Sequence, residues 1–303
     1  MKLSRGLWYM AASALGFSAM SVLVKVASER LPTGEIVLAR AVVTLVISYV
    51  MVVRAELHPW GTNKAGLVFR GLLGFGGLTF YYISLAHLPL ADATVIQNTT
   101  PLLTALLAWW ILRESIGWST AVAIACGIGG VLLIVRPSGG LELDAIGIAA
   151  ALGAVVTSAI AYVTVRQLAR SEAPLVIVFY FPLIATPLAI PWAAATWVWP
   201  EPIDWILLVA IGMCTQIGQV FLTMGLAIEK AGRATSIGYI QVVFAMMWQW
   251  AVFADAPTAW TLGGAALIFA GTLAVARSAP KRTDRVAAQP GDQRDKADRA
   301  EHV

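Results

Sequence analysis

Residues 90–114 read LADATVIQNTTPLLTALLAWWILRE. The charged residues Asp92, Arg113 and Glu114 stand at the ends, so the run of about 20 residues between them is long and apolar enough to cross a bilayer. Its polarity does not alternate, which favours a helix over a barrel strand. Near the middle stand Gln97, Asn98, Thr99 and Thr100, followed by Pro101. Thr94, Gln97, Asn98 and Pro101 are spaced i, i+3, i+4, i+7, so a continuous helix would carry them on one face. Pro101 cannot donate to the helix ladder and crowds the carbonyl of Gln97, leaving that backbone available near the midplane.

Working outward, similar apolar runs fill the chain at roughly 6–28, 35–53, 67–87, 117–135, 145–165, 174–198, 205–227, 234–253 and 258–276. With 90–112 these make ten expected spans and an all-α membrane bundle, with no room for a soluble domain. The first run follows Lys2 and Arg5 but lacks a small-residue cleavage site, and it is read as an uncleaved helix. Of the 303 residues, 59% are hydrophobic and 13% charged, against about 25% charged in a soluble domain. Eleven of the charges fall in the last 26 residues, so 278–303 is expected to be a disordered cytoplasmic tail. The twelve tryptophans suit a membrane interface. The net charge is only +4 and the tail mixes signs, so no nucleic-acid partner is indicated. Cys126 and Cys214 lie in apolar runs and read as small core residues.

Lysines and arginines divide unequally between the two sides. Seventeen fall with the N-terminus, the loops 54–70, 113–116, 166–173 and 228–233, and the tail; the other side has Arg30 and Arg136 alone. By the positive-inside bias both termini face the cytoplasm. Lys25 and Arg40 lie within spans.

An offset of 141 residues aligns several segments without a gap. Gly6 meets Gly147, Lys25 meets Arg166, Gly71 meets Gly212, Ala93-Thr94 meet Ala234-Thr235, Ile96 meets Ile237, Glu114 meets Asp255 and Gly130 meets Gly271. The chain is therefore divided into a first five-helix repeat, 1–136, and a second, 142–277. Five is odd, so the second copy enters the membrane from the opposite side. Two inverted halves with a site between them near the midplane are a transporter architecture.

The run Leu88-Pro89-Leu90-Ala91-Asp92-Ala93-Thr94, leading to Pro101 and ending at Arg113-Glu114, resembles the EamA family of the drug/metabolite transporter superfamily. The likeness covers about residues 6–277 and implies a transporter of small organic metabolites, often an exporter of amino acids or related compounds. At the repeat offset Pro101 falls on Val242, whereas such families commonly carry a proline in both fourth-type helices. Nothing in the sequence therefore demands a symmetric pair of broken helices.

The candidate substrate-binding residues are Arg40, Tyr81, Tyr82, Gln97, Asn98, Gln216, Gln219, Tyr239 and Gln241, with Lys25, Asp92 and Pro101 as candidate gating residues. Charges within a bilayer are costly and mark function. Arg40 reads either as a substrate anchor or gate pair with Asp92, or as a donor to helix-end carbonyls. Lys25 reads as a gate or as a snorkelling side chain. The amides must turn inward, since lipid would leave them unpaired; they either line a polar cavity or bond neighbouring helices. Small-residue packing explains Gly71, Gly74, Gly76, Gly77, Gly127, Gly129 and Gly130. There is no His-Glu-x-x-His, Cys/His cluster or nucleophile elbow, and His58, His87 and His302 lie in a loop, at a span end and in the tail. Neither a metal, nor another cofactor, nor enzymatic activity is expected.

The expected protein is a bacterial inner-membrane secondary transporter, an exporter or exchanger working by alternating access. Its expected partners are a small-molecule substrate, such as an amino acid or related amphipathic compound, and the lipid bilayer; the expected unit is a monomer. Two rivals are a broad drug exporter, which would want a central carboxylate, and a nontransporting scaffold or membrane enzyme.

Overall fold

The computed structural model describes residues 4–87, 96–135, 144–253 and 259–277. Among these every regular element is a helix. They are α1 (Arg5–Ala27), α2 (Thr33–Arg54), α3 (Lys64–His87), α4 (Thr100–Leu112), α5 (Trp118–Val135), α6 (Ala145–Leu168), α7 (Pro174–Ala195), α8 (Pro202–Ile228), α9 (Ala231–Ile237), α10 (Ile240–Phe253) and α11 (Ala259–Arg277). By length and composition α1, α2, α3, α6, α7 and α8 can each cross a membrane. The shorter apolar helices α4, α5, α10 and α11 lie where the sequence predicts the fourth, fifth, ninth and tenth spans.

Helix starts follow from local chemistry. Ser4 Oγ accepts from Leu7 N, and Asp144 accepts from Ile146 N, each satisfying an otherwise orphaned first-turn donor. Pro174 and Pro202 open α7 and α8, where a missing N–H costs nothing. Glu201 and Asp204 cap α8 reciprocally. α7 also holds Pro182, Pro187 and Pro191 in its interior, each removing a ladder bond.

Contacts between loops sort the helix ends into two sides. On the side of residue 4, Ser4 donates to Glu229, and Glu172 in the α6–α7 loop accepts from Thr62 N at 2.8 Å in the α2–α3 loop. On the opposite side His87 Nδ1 lies 2.6 Å from Asp144, and Arg30 pairs with Glu201. Along the chain α1, α2 and α3, and then α6, α7 and α8, therefore alternate in direction.

The most extensive packing pairs α1 with α8, α3 with α6, α2 with α7, and α5 with α11. Helices approach closely where glycines face backbone: a Cβ on Gly16 of α1 would lie 3.0 Å from Gly218 N of α8, and one on Gly130 of α5 would lie 2.6 Å from Gly264 O of α11. Lipid offers hydrocarbon as good as leucine, so such van der Waals approach is what joins helices there. Large apolar side chains face outward, and exposed tryptophans cluster near helix ends. Trp8, Trp109, Trp110 and Trp118 do so on the first side, and Trp197, Trp199 and Trp205 on the other.

Candidate functional site

The expected continuous fourth helix is interrupted. Ile96 and Gln97 are helical, Asn98 and Thr99 form a turn, and α4 starts afresh at Thr100. Pro101 therefore sits in the first turn of a new helix, where proline is tolerated, instead of kinking a continuous one. The freed carbonyl of Gln97 accepts from Thr100 Oγ1 at 2.6 Å. The turn at Asn98-Thr99 lies between Gln97 and Pro101, so the expected face is interrupted part way along; Thr94 lies outside the described residues.

The second half breaks as well, although Val242 stands where the offset would put a proline. α9 ends at Ile237, Gly238-Tyr239 form a turn, and α10 begins at Ile240. Proline is not needed: Gly238 is a poor helix former, and Tyr239 is held by other contacts. Its ring packs against Gly127, where a Cβ would overlap it, and its hydroxyl donates to the Asn98 carbonyl at 2.8 Å. Asn98 and Tyr239 are 141 residues apart. The two interruptions thus touch through positions that the sequence offset equates. At about 1.5 Å per residue, the second break lies about 10 Å along from the start of α9.

Two arginines are buried. Arg40, seven residues into α2, is 8% exposed, and its Nη1 approaches Met20 Sδ at 3.8 Å. Arg70 was expected in the 54–70 loop but lies six residues into α3 at 3% exposure. The expected run of 67–87 already takes in Arg70, and that was the signal for placing it inside a span. Its Nη2 donates to Gln219 Oε1 at 3.2 Å, and its guanidinium sits 4.8 Å from the Phe181 ring centroid.

The remaining predicted residues are not all brought together. Gln216 is buried, with its Nε2 3.6 Å from Met51 Sδ. Gln97 Nε2 reaches Thr100 Oγ1 at 3.4 Å. The Oε1 atoms of Gln97 and Gln216 are buried and accept from no donor among the described residues. Tyr82 lies against Tyr81 and edge-on to Trp192, with centroids 6.3 and 5.9 Å apart. Gln241 is half-buried in the first turn of α10. Lys25 is exposed in the last turn of α1, as snorkelling requires. Asp92 lies outside the described residues. Cys126 and Cys214 are free thiols.

A charged knot on the side of residue 4 was not anticipated. Arg166 Nε bonds Glu114 at 2.9 Å while its Nη1 donates to the carbonyls of Leu226 and Ala227 at the end of α8. The second Glu114 oxygen accepts from Ala231 N at the start of α9, 2.9 Å away. One ion pair thereby satisfies the ends of two helices and ties them to α4 and α6. Arg166 was expected in a loop, yet it belongs to the last turn of α6.

Alternating apolar helices, outward tryptophans and two broken helices meeting in the interior define a multi-pass helical membrane protein. The chain belongs to the EamA-like transporter family, whose model matches residues 4–136 and again 145–277. Over 263 residues it is 33% identical to the pseudopaline exporter CntI of Pseudomonas aeruginosa, spanning 86% of this chain and 92% of that protein. It is 32% identical to solute carrier family 35 member G1 of Mus musculus over 88% of this chain and 77% of that protein. To the S-adenosylmethionine uptake transporter of Rickettsia conorii it is 25% identical, spanning 92% of this chain and 95% of that one. A solved crystal structure superposes with a TM-score of 0.82 at 18% identity, over 90% of this chain and 96% of the other, a likeness of fold.

Proposed function

We propose that this protein is a bacterial inner-membrane secondary transporter that exports or exchanges a small amphipathic organic metabolite, such as an amino acid or a relative of one. Ten spans form two inverted halves, 1–136 and 142–277, and both termini face the cytoplasm. The halves exchange shapes, so the space between them opens to one side and then the other.

The bond from Tyr239 to the Asn98 carbonyl carries this reading. Residues equated by a repeat can touch only near the axis relating the two copies, and in this reading that axis runs through a pair of helix breaks. Unwound backbone at such a place offers dipoles and carbonyls to a solute, as broken helices do in inverted-repeat transporters. The pairing of helices supports it too, since inversion turns the α1–α8 contact into the α6–α3 contact. Exporters and uptake transporters both occur among the relatives, so direction follows from the gradient and coupling of each protein.

In this scheme Gln97, Asn98, Gln216, Gln219, Tyr239 and Gln241 line the solute path, with Tyr81 and Tyr82 beside it. Arg40 anchors an anionic group, while Lys25, Asp92 and Pro101 act at the gate. The test is counterflow in proteoliposomes loaded with a mixture of amino acids, with each labelled in turn outside. Uptake above protein-free liposomes is expected, and Gln97→Ala should weaken apparent affinity about five- to a hundredfold, because an unpaired solute group costs about 1–3 kcal/mol. Normal affinity in folded Gln97→Ala and Arg40→Lys proteins would remove this site.

A further inference from the structure

Arg70 is 3% exposed and sits about 9 Å along α3 from its start. α6, α7 and α8 surround it with Tyr162, Phe181 and Gln219. The guanidinium has five donor hydrogens and stays charged in any protein setting. One donor is used by Gln219, while buried Nε and Nη1 have no acceptor among the described residues. Gly74, one turn further along, lets the guanidinium and the Phe181 ring pack against the α3 backbone: a Cβ there would lie 3.1 Å from Nη1 and 2.8 Å from the Phe181 ring.

Among the described residues Arg70 belongs to no ion pair. Glu56 on the same side of the membrane is exposed to solvent, and the enclosed carboxylates there are committed elsewhere: Glu114 to Arg166, Glu229 to Ser4 and Arg233, and Glu172 to Thr62 and Asn63. A cation shut away from water without a counter-charge is far more costly than a paired one. Packing alone would be met by an apolar side chain of the same shape, as replacements of buried charges show. Two unused donor nitrogens on a fixed, stacked guanidinium describe half of a binding site, and its missing half is an anion.

We propose that Arg70, oriented by Gln219 and Phe181, receives an oxyanion of the transported solute, a carboxylate or phosphate, on the side of the membrane that holds residue 4. The solute is therefore an acidic metabolite. This rests on the transporter reading and adds a substrate class to it. Arg70 and Arg40 enter their helices from opposite sides, six and seven residues in. They form two successive anion stations, one reached from each side, instead of one clamp.

The test uses the full chain purified in detergent, with succinate and inorganic phosphate as probes and sodium chloride at matched ionic strength as the reference. Wild-type protein is expected to melt at a higher temperature with succinate or phosphate, the more effective probe identifying the solute's anionic group. Arg70→Gln should lose that response, with affinity falling about tenfold or more. Gln219→Glu supplies an internal carboxylate at the same place; it should raise the melting temperature without added anion and abolish the response. This second variant decides the matter should Arg70→Gln fail to fold. A wild type indifferent to both anions, or a response retained in Gln219→Glu, would overturn the assignment. Counterflow keeps the two readings apart. If liposomes carry neutral or cationic amino acids and Arg70→Gln carries them equally well, the acidic substrate is wrong while transport stands. Liposomes inert to every solute would count against transport, and the melting response would still decide the anion site.

Discussion

Tyr239 shows how one side chain can do what a proline does elsewhere. Proline ends a helix by removing a donor; Tyr239 instead supplies one to a carbonyl on the other half of the chain. Its ring has no slack, because it lies directly on Gly127. Gly127→Ala should therefore destabilise the protein by about 1–3 kcal/mol through overpacking, a clear drop in melting temperature. Tyr239→Phe keeps the ring and loses only the hydroxyl bond, so it should cost about 0.5–1.5 kcal/mol and leave the protein folded. The reverse order of the two melting temperatures would mean that the hydroxyl, not the close ring contact, holds the break.

At the scale of elements, the ends of α8, the start of α9 and the ends of α4 and α6 are joined through Glu114 and Arg166. Both side chains are largely enclosed, so removing one leaves the other charge and several helix-end groups unmatched. Arg166→Ala or Glu114→Gln alone should each cost several kcal/mol, about 3–5 for a fully buried pair. The double variant should cost less than the sum of the two, and a double-mutant cycle of thermal unfolding measures that difference. Strict additivity would show that the two residues act separately. The opposite side has a pH-sensitive counterpart in the cap of α6. The Asp144 carboxyl is held below the usual carboxylate range, first by the Ile146 N–H and next by its bond to His87. A depressed folded-state pKa adds stability above the unfolded value of about 3.9, and that stability disappears as pH falls through the folded value. Melting temperature should accordingly decline in acid, and Asp144→Asn should flatten that part of the profile. An unchanged profile in the variant would assign the acid sensitivity to other carboxylates.

For the whole molecule, loop contacts establish which ends share a side, while the charge count predicts which side is cytoplasmic. Ser171 lies on the side of residue 4, and Thr196 on the other; both are exposed. In a variant lacking Cys126 and Cys214, Thr196→Cys should react with an impermeant thiol reagent applied to intact cells, and Ser171→Cys only after lysis. The opposite pattern would reverse the protein in the membrane and place Arg40 toward the cytoplasm.

The helical character, the positions of the apolar runs and the offset of 141 residues could all be read from the sequence, because hydrocarbon forces backbone bonds to close within each segment and leaves a plain record in composition. Gln97, Asn98 and Pro101 could also be recognised as a weak point in one helix. What composition does not record is which distant groups meet. The break at Gly238-Tyr239 depends on Gly127 and on a carbonyl 141 residues away, so no local signal announced it. Arg70 looked like one more loop charge until α3 was seen to begin at Lys64 and three other helices to close around it. Arg166 and Glu114 match Lys25 and Asp255 in the repeat, yet their bond to each other joins two halves of the chain. Local chemistry decides where helices form, since each backbone group is satisfied within a few residues. Tertiary packing alone decides where they stop being helical and which charges are left without a partner, because those depend on neighbours supplied by remote parts of the chain.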